Sequence, residues 1–395
     1  MIDDLLLDGV RVLEFGQIAA GPFAGSLLGD LGADVVKVER PGSGDGMRGW
    51  PPLTANDDGE LYSENFASLN RNKRSVVFDL KSEDDRPNLM SLCREADVIV
   101  ENFRPGVMNR LGLGYAQLSA EHPGLIYCSI SGYGQTGPYA NYGAFDVVVQ
   151  AMSGLMSVTG EDGSGPVKCG VPVGDFSAGL YSAYAVAAAL YKRNRTGRGR
   201  HIDCSMLGSM IGVAALQTSE YFGTGQSGQR LGSAHPRNAP YQAFRAKDDY
   251  FVIAAGNDKL WRAVCEAVGQ PELAEHPDFT DQLRRAKNQQ RLTKILEVSF
   301  LKNSAAYWLE EMRARGVPAS PINDYGDLIA DPHVAHMGIV RDLTLPNGVK
   351  TRTTGFPLNI TDFEFSIRKP PPHLGEHTAE VLRQWGVSKP KNQTS

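Results

Sequence analysis

The sequence predicts an α/β chain built on an open, parallel, Rossmann-like sheet. Three observations predict it. Residues 9–39 read as strand, small-residue helix and strand in succession. Further short apolar runs follow, each leaving into a turn of Gly, Asn, Arg or Pro. A long Ala-rich run after Val171 has the composition of a buried helix. Strands alternating with helices favour a parallel sheet covered on its faces.

The first unit opens with G-V-R-V-L-E-F-G, a short apolar strand. I-A-A-G-P-F-A-G-S-L-L-G-D-L-G-A is the helix, and D-V-V-K-V-E is the next strand, ending at Glu39. Gly16, Gly21 and Gly25 invite a dinucleotide-binding reading, with Glu39 as the ribose-binding acid. The spacing argues against it: Gly16 and Gly21 are five apart, where G-x-G-x-x-G places its first two glycines two apart. The glycines instead predict close helix-on-strand packing and a crevice at the strand's carboxyl end. Gln17 sits at that crevice with an amide donor.

The loop R-P-G-S-G-D-G-M-R-G-W-P-P is too long for a plain connection and holds Arg40 and Arg48. L-N-R-N-K-R-S-V-V-F-D-L is a basic turn (Arg71, Lys73, Arg74) running into a strand. A-D-V-I-V-E is a buried strand that exits into Asn102, Phe103, Arg104 and Pro105, with Arg110 in the helical turn beyond. Several of these cations leave the ends of expected parallel strands, where open α/β sheets bind ligands. Phe103 among them offers an apolar face to a purine. The combination reads as a site for an adenine nucleotide with several phosphates. No G-x-x-x-x-G-K-[ST] loop occurs.

L-I-Y-C-S-I-S-G-Y-G is another strand, G-A-F-D (143–146) precedes a second apolar helix, and R-H-I-D-C-S-M is a later strand. Between the last two lies V-P-V-G-D-F-S-A-G-L-Y, which places Asp175 where an N-cap would sit, ionised by the helix dipole. Gly174 and Gly179 strip bulk from both sides of it, as suits a carboxylate that something large approaches.

Bulk properties narrow the classes. The chain has 395 residues, 42% hydrophobic and 22% charged, enough for two domains. A net charge of −5 without a basic tract argues against nucleic acid. M-I-D-D-L-L-L-D-G-V does not read as a signal peptide, and no run is long enough to span a bilayer. Cys93, Cys128, Cys169, Cys204 and Cys265 are scattered, so neither a metal site nor a disulfide framework is expected. A cytoplasmic protein is the expectation.

At this point the motifs carry a resemblance. G-Q-I-A-A-G-P, K-V-E-R-P-G-S-G-D, N-R-N-K-R-S, V-E-N-F-R-P-G, G-V-P-V-G-D-F-S-A-G, T-G-R-G-R-H-I-D-C-S-M and P-P-P-H-L-G-E-H-T-A-E-V-L resemble the family III CoA-transferases, collinearly and over nearly the whole chain. The resemblance implies that Asp175 is a nucleophilic carboxylate. It implies that the nucleotide is the 3′-phospho-ADP of coenzyme A, with Ile18, Arg40, Leu69, Asn72, Lys73, Arg74, Asn102, Phe103, Arg104, Arg110, Phe145 and Asp146 on the CoA path. It also implies an interlocked homodimer. Each chain then has a large α/β domain from both ends of the sequence (1–222 and 326–395) and a smaller inserted α/β domain (239–316), joined by linkers at 223–238 and 317–325. A loop at Gly256 and Asn257 is expected to help Gln17 bind an oxyanion.

Such an enzyme needs no metal, no ATP and no cofactor beyond CoA, its substrate and product. α-Methylacyl-CoA racemase, a second activity that the resemblance implies for this fold, is the alternative, but the racemases carry a His where this chain has Phe145, and a phenyl ring moves no proton. The pattern looks closest to the branch that takes CoA from succinyl-CoA to glutarate, malate, citramalate or itaconate, with formyl-CoA:oxalate exchange as an alternative. A dicarboxylate keeps one free carboxylate, for which Arg48, His235 and Arg237 in loops are the expected partners.

Overall fold

A computed structural model describes residues 5–386 of the chain, which divide into two compact units. The strands of the first unit are, in chain order, β1 (Arg11–Glu14), β2 (Asp34–Glu39), a hairpin of β3 (Leu53–Ala55) and β4 (Leu61–Ser63), then β5 (Lys73–Val77), β6 (Val98–Glu101), β7 (Ile126–Ser131) and β8 (His201–Ser205). Six of them form one sheet in the order β5-β2-β1-β6-β7-β8, every pairing parallel. This is the doubly wound order, in which the chain winds outward from β1 and then restarts beside it at β6. A crevice therefore opens at the carboxyl ends of β1 and β6.

Burial on both faces explains the near-continuous apolar strands. One face packs Val12, Val35, Val98 and Ile126 against Ala24 and Leu28 of the Ala20–Asp30 helix and Ala178 and Val186 of the Val173–Thr196 helix. The other packs Leu13, Val36, Ile99 and Tyr127 against Leu89 and Leu92, with Val381 and Trp385 from the returning C-terminal segment. That return is hydrogen-bonded as well as packed: His377 donates its backbone N–H to the Ser75 carbonyl at 2.9 Å, and the Trp385 indole donates to Asp34 at 3.0 Å.

The glycines of the first βαβ unit pack as the sequence predicts. A Cβ on Gly21 would lie 2.9 Å from the Gly16 Cα, and one on Gly25 would lie 1.9 Å from Glu14 Oε2. The helix sits directly on β1 because these side chains are missing.

The second unit comprises Met156–Val167 and Gln226–Pro332. It holds an antiparallel sheet of β9 (Tyr241–Arg245), β10 (Tyr250–Ala254) and β11 (Ala319–Pro321) in the order β11-β10-β9. Helices cover it by packing Trp261, Phe300 and Trp308 in one core with Phe251 of β10. Two differences from the expected layout follow. The stretch 317–325 is not a linker throughout, since Ala319–Pro321 pairs with β10. The 156–167 segment belongs to this unit although it lies far upstream in sequence. A last hairpin, β12 (Val340–Thr344) with β13 (Lys350–Thr354), returns the chain to the first unit. Among the described residues, no helix is long and apolar enough to cross a membrane.

Candidate active site

The turn after β1 and the turn after β6 are tied together across the crevice. Asn102 accepts the Gln17 N–H at 2.8 Å and donates its own amide to the Gln17 carbonyl at 2.9 Å. This reciprocal pair fixes the Gln17 backbone and leaves its side-chain amide unspent. The next residue, Ile18, has φ of 65°. A β-branched residue rarely adopts that conformation unless its surroundings hold it there.

The Val173–Thr196 helix begins beside this crevice with Pro172 as its N-cap, so Asp175 lies in the first turn and is not the cap itself. Its carboxyl is pushed up to about 6, first by burial and then by the Asp146 carboxylate. The expectation of a dipole-stabilised, ordinary carboxylate is thereby corrected: desolvation outweighs the helix end. Asp146 lies next to it with both oxygens engaged, accepting the Gly174 N–H at 2.8 Å and the Gln150 amide at 2.6 Å.

The flanking glycines serve the fold rather than a ligand. A Cβ on Gly179 would meet Phe23 at 2.8 Å and the Ala20 carbonyl at 3.0 Å, and one on Gly174 would meet Asp146 at 3.0 Å. Both are buried. They let the Asp175 helix seat on the Ala20–Asp30 helix and on Asp146.

Asp175 opens into a cavity of about 290 Å³ whose lining includes Gln17, Asn102, Phe103, Arg104 and Phe145. A second cavity, of about 500 Å³, shares Gln17 and Phe103 with it and adds Arg40, Lys81 and Leu111. One cavity thus has Asp175 and Gln17 in the same lining, and the other has Arg40 and Lys81 in the same lining as Phe103.

The sequence matches CoA-transferase family III over residues 7–378. The chain belongs to that family. Succinyl-CoA:glutarate CoA-transferase of Mus musculus is 39% identical over 378 residues, covering 96% of this chain and 86% of that one. Acetyl-CoA:oxalate CoA-transferase of Acetobacter aceti is 38% identical over 386 residues, covering 97% of each. A solved CAIB/BAIF family protein from Brucella suis superposes with a TM-score of 0.85 at 40% identity, covering 96% of this chain and 99% of that one. The protein is an enzyme of the CoA-transferase type.

Within this CoA-transferase, Gln17, Ile18, Asn102, Phe103, Arg104, Phe145 and Asp175 line one cavity, and Arg40 the one beside it. Arg110 is exposed at the end of a short helix. Four expected CoA contacts are instead engaged internally. Lys73 is fully buried, 2.8 Å from Glu14 and 3.1 Å from the Asn70 side chain, and burial together with the like charge of Lys37 pulls its ammonium down to about 8. Arg74 is paired with Asp34 and Glu380. Asn72 bonds Asp30 at 3.0 Å and accepts the Arg368 N–H at 2.8 Å, tying down the C-terminal return. Leu69 packs with Phe66 and Met47.

Arg48 is likewise engaged: it pairs with Glu39 at 2.7 Å, donates to the Pro372 carbonyl at 3.1 Å, and lies 3.9 Å above the Phe66 ring. Its guanidinium clasps the 41–49 loop through these partners. Gly256, Asn257, His235 and Arg237 belong to the second unit. Asn257 caps the Asp258–Ala267 helix by accepting the Leu260 N–H at 2.9 Å. His235 accepts the backbone N–H groups of Arg237 and Asn238 at 3.1 Å each, through Nδ1.

Sequence reasoning passed over Glu101, which ends β6 and is 4% exposed. It accepts the Phe103 N–H at 2.9 Å, and burial pushes its carboxyl up to about 7. It also passed over Glu14, Lys37 and Asp45, which form one buried ion cluster. The available signal was a Lys and a Glu inside strands expected to be buried on both faces, since such charges must find partners there.

Proposed function

We propose that this enzyme moves CoA from succinyl-CoA to a short-chain dicarboxylate such as glutarate, malate, citramalate or itaconate. The observation that carries the reading is Asp175: a carboxylate held above its ordinary pKa, opening into a cavity lined by the Gln17 amide. At neutral pH it is mainly ionised yet more basic than a solvated Asp, which favours attack on a carbonyl.

Asp175 attacks the thioester carbon of the donor, giving a mixed anhydride and CoA thiolate. The thiolate attacks the aspartyl carbonyl, releases succinate and leaves an aspartyl-CoA thioester. The acceptor carboxylate attacks that thioester, forming a new anhydride and freeing the thiolate. The thiolate then takes the acceptor acyl group and regenerates Asp175. Each tetrahedral intermediate carries an oxyanion, for which the Gln17 amide is the donor. On sequence grounds alone, the backbone N–H groups of Gly256 and Asn257 are further donors. The thioester energy is conserved throughout, so the reaction calls for no group beyond CoA.

The cavity rimmed by Arg40 and Lys81 around Phe103 suits the nucleotide end of CoA. Both relatives named above are CoA-transferases for dicarboxylates, and the one that takes oxalate keeps that acceptor in the reading as the alternative. Racemisation needs acid–base groups on both faces of a carbon, and among the described residues that line the Asp175 cavity there is no His. An interlocked homodimer is part of the proposal. Leu180, Tyr184 and Tyr191 form an exposed stripe along the Asp175 helix, and Leu216 and Phe222 extend the apolar surface of the same unit.

The test is a screen of succinyl-CoA against glutarate, malate, citramalate, itaconate, oxalate and butyrate, read by mass spectrometry of the CoA esters. Acid-quenched enzyme should yield an Asp175 peptide bearing CoA. Turnover without any such adduct, and with deuterium washing into an α-carbon, would overturn the reading.

A further inference from the structure

Beyond Arg40, the long loop after β2 has no role in the reaction above, yet it is built around one buried carboxylate. Asp45 is 2% exposed. Its two oxygens each lie 3.1 Å from the Ile18 N–H, and one of them also accepts the Met47 N–H at 3.0 Å. Lys37 lies 2.9 Å from the other oxygen. The same ammonium donates to the Gly16 carbonyl at 2.6 Å and to Glu14 at 3.0 Å.

We propose that Asp45 and Lys37 are positioning residues for CoA transfer, locking the Gly16–Ile18 turn so that the Gln17 amide faces the oxyanion. The inference rests on the reading of Gln17 as the oxyanion donor.

Four successive backbone groups of the turn are held by side chains. Lys37 holds the Gly16 carbonyl, Asn102 holds both the N–H and the carbonyl of Gln17, and Asp45 holds the Ile18 N–H. These four bonds surround the Ile held at φ 65°, a conformation that persists only where the surroundings fix it. Asp45 is fixed in turn, because its own N–H donates to Glu39 at 2.9 Å and Glu39 is clasped by Arg48. Burial alone would pull the Lys37 ammonium down, but the carboxylates of Glu14, Asp45 and Glu39 outweigh it and keep the ammonium firmly charged. Three carboxylates (Glu14, Glu39, Asp45) therefore face three cations (Lys37, Arg48, Lys73), and the cluster is neutral. Buried ion pairs contribute little net stability and much geometry. Here the geometry ends at Gln17.

The test uses the full-length enzyme and the exchange of labelled succinate into succinyl-CoA, which is independent of the acceptor. Gln17→Ala should lower kcat about 100-fold, as loss of an oxyanion donor does. Asp45→Asn should lower kcat roughly 10- to 100-fold with KM for succinyl-CoA within about threefold, because binding is left intact. The double variant should be no more than about threefold slower than Gln17→Ala, since Asp45 acts through Gln17. Adding Ile18→Gly to Asp45→Asn should recover at least about fivefold, because Gly takes this φ without strain. Should Asp45→Asn fail to fold, Asp45→Glu keeps the cluster neutral and should show the same kcat-specific loss.

Multiplicative losses in the double variant overturn the proposal while leaving Gln17 as donor. So does a KM effect without a kcat effect, or an absent glycine rescue. Native turnover in Gln17→Ala overturns the oxyanion reading and this proposal with it.

Discussion

Replacing Asp175 by Asn should abolish CoA exchange and make the protein more stable. The carboxyl rises from an ordinary 3.8 to about 6, first through burial and then through Asp146. At about 1.36 kcal/mol per pH unit, ionising it in the folded state costs about 3 kcal/mol relative to the unfolded chain. The side chain is partly exposed, and its place in the first helical turn favours charge by up to about 1 kcal/mol. The net gain on neutralisation is then about 2 kcal/mol. With an unfolding entropy of about 2.1 cal/mol/K per residue, that raises Tm by about 2–3 °C.

The sign fixes the pH window. A carboxyl whose folded pKa is raised binds more protons folded than unfolded between about 4 and 6, so the native enzyme loses stability as pH rises through that interval. Asn does not titrate. The advantage of Asp175→Asn should be near its full size, about 2 kcal/mol, at pH 8 and about half of that near pH 4.5. Scanning calorimetry of both proteins at the two pH values measures it, after mass spectrometry has excluded deamidation. An Asn variant that is less stable at pH 8, or a gain that does not change with pH, would refute the account of Asp175 as a desolvated nucleophile. Retained exchange would refute its role.

The remaining predictions are briefer. Phe103→Ala or Lys81→Ala should raise KM for acyl-CoA about tenfold with a smaller change in kcat, checked by steady-state kinetics, because both line the cavity assigned to the nucleotide. Gly25→Ala should destabilise by about 3 kcal/mol or more in denaturant titrations, since its Cβ would lie 1.9 Å from Glu14 Oε2 inside the buried cluster. Succinate should exchange at least about 100-fold faster than butyrate in kcat/KM, because a site built to pair the second carboxylate leaves its own charge unpaired with butyrate. Equal rates would remove the dicarboxylate preference and leave CoA transfer standing.

The fold was legible where periodicity and burial agree. D-V-V-K-V-E is β2 residue for residue, because a strand covered on both faces writes itself as an apolar run. R-H-I-D-C-S contains β8, an edge strand in which Ile202 and Cys204 alternate with the exposed His201 and Asp203. The 156–167 segment was not legible, since nothing local tells an irregular stretch which core it joins. Ala319–Pro321 read as a linker because two prolines near a short strand look like punctuation, and only its pairing with β10 makes it a strand.

The site divides along a sharper line. Residues at strand ends could be read by position: Gln17, Asn102, Phe103 and Arg104 follow β1 and β6, and the switch point gathers them. The charge of Lys73, Arg74 and Arg48 could not be read that way, since a cation's sign does not reveal which carboxylate takes it. Lys37 and Glu14 had already placed opposite charges in adjoining buried strands, paired at 3.0 Å. That pair is neutral by itself, and Lys73 on Glu14 at 2.8 Å and Asp45 on Lys37 at 2.9 Å add one further charge of each sign, so the buried cluster stays neutral. The basic turn before β5 and the acidic residue in the loop after β2 are thus two halves of one balance. The cations that this balance leaves at the rim are Arg104 at one cavity and, around the other, Arg40 and Lys81, which the proposed function gives to the nucleotide end of CoA.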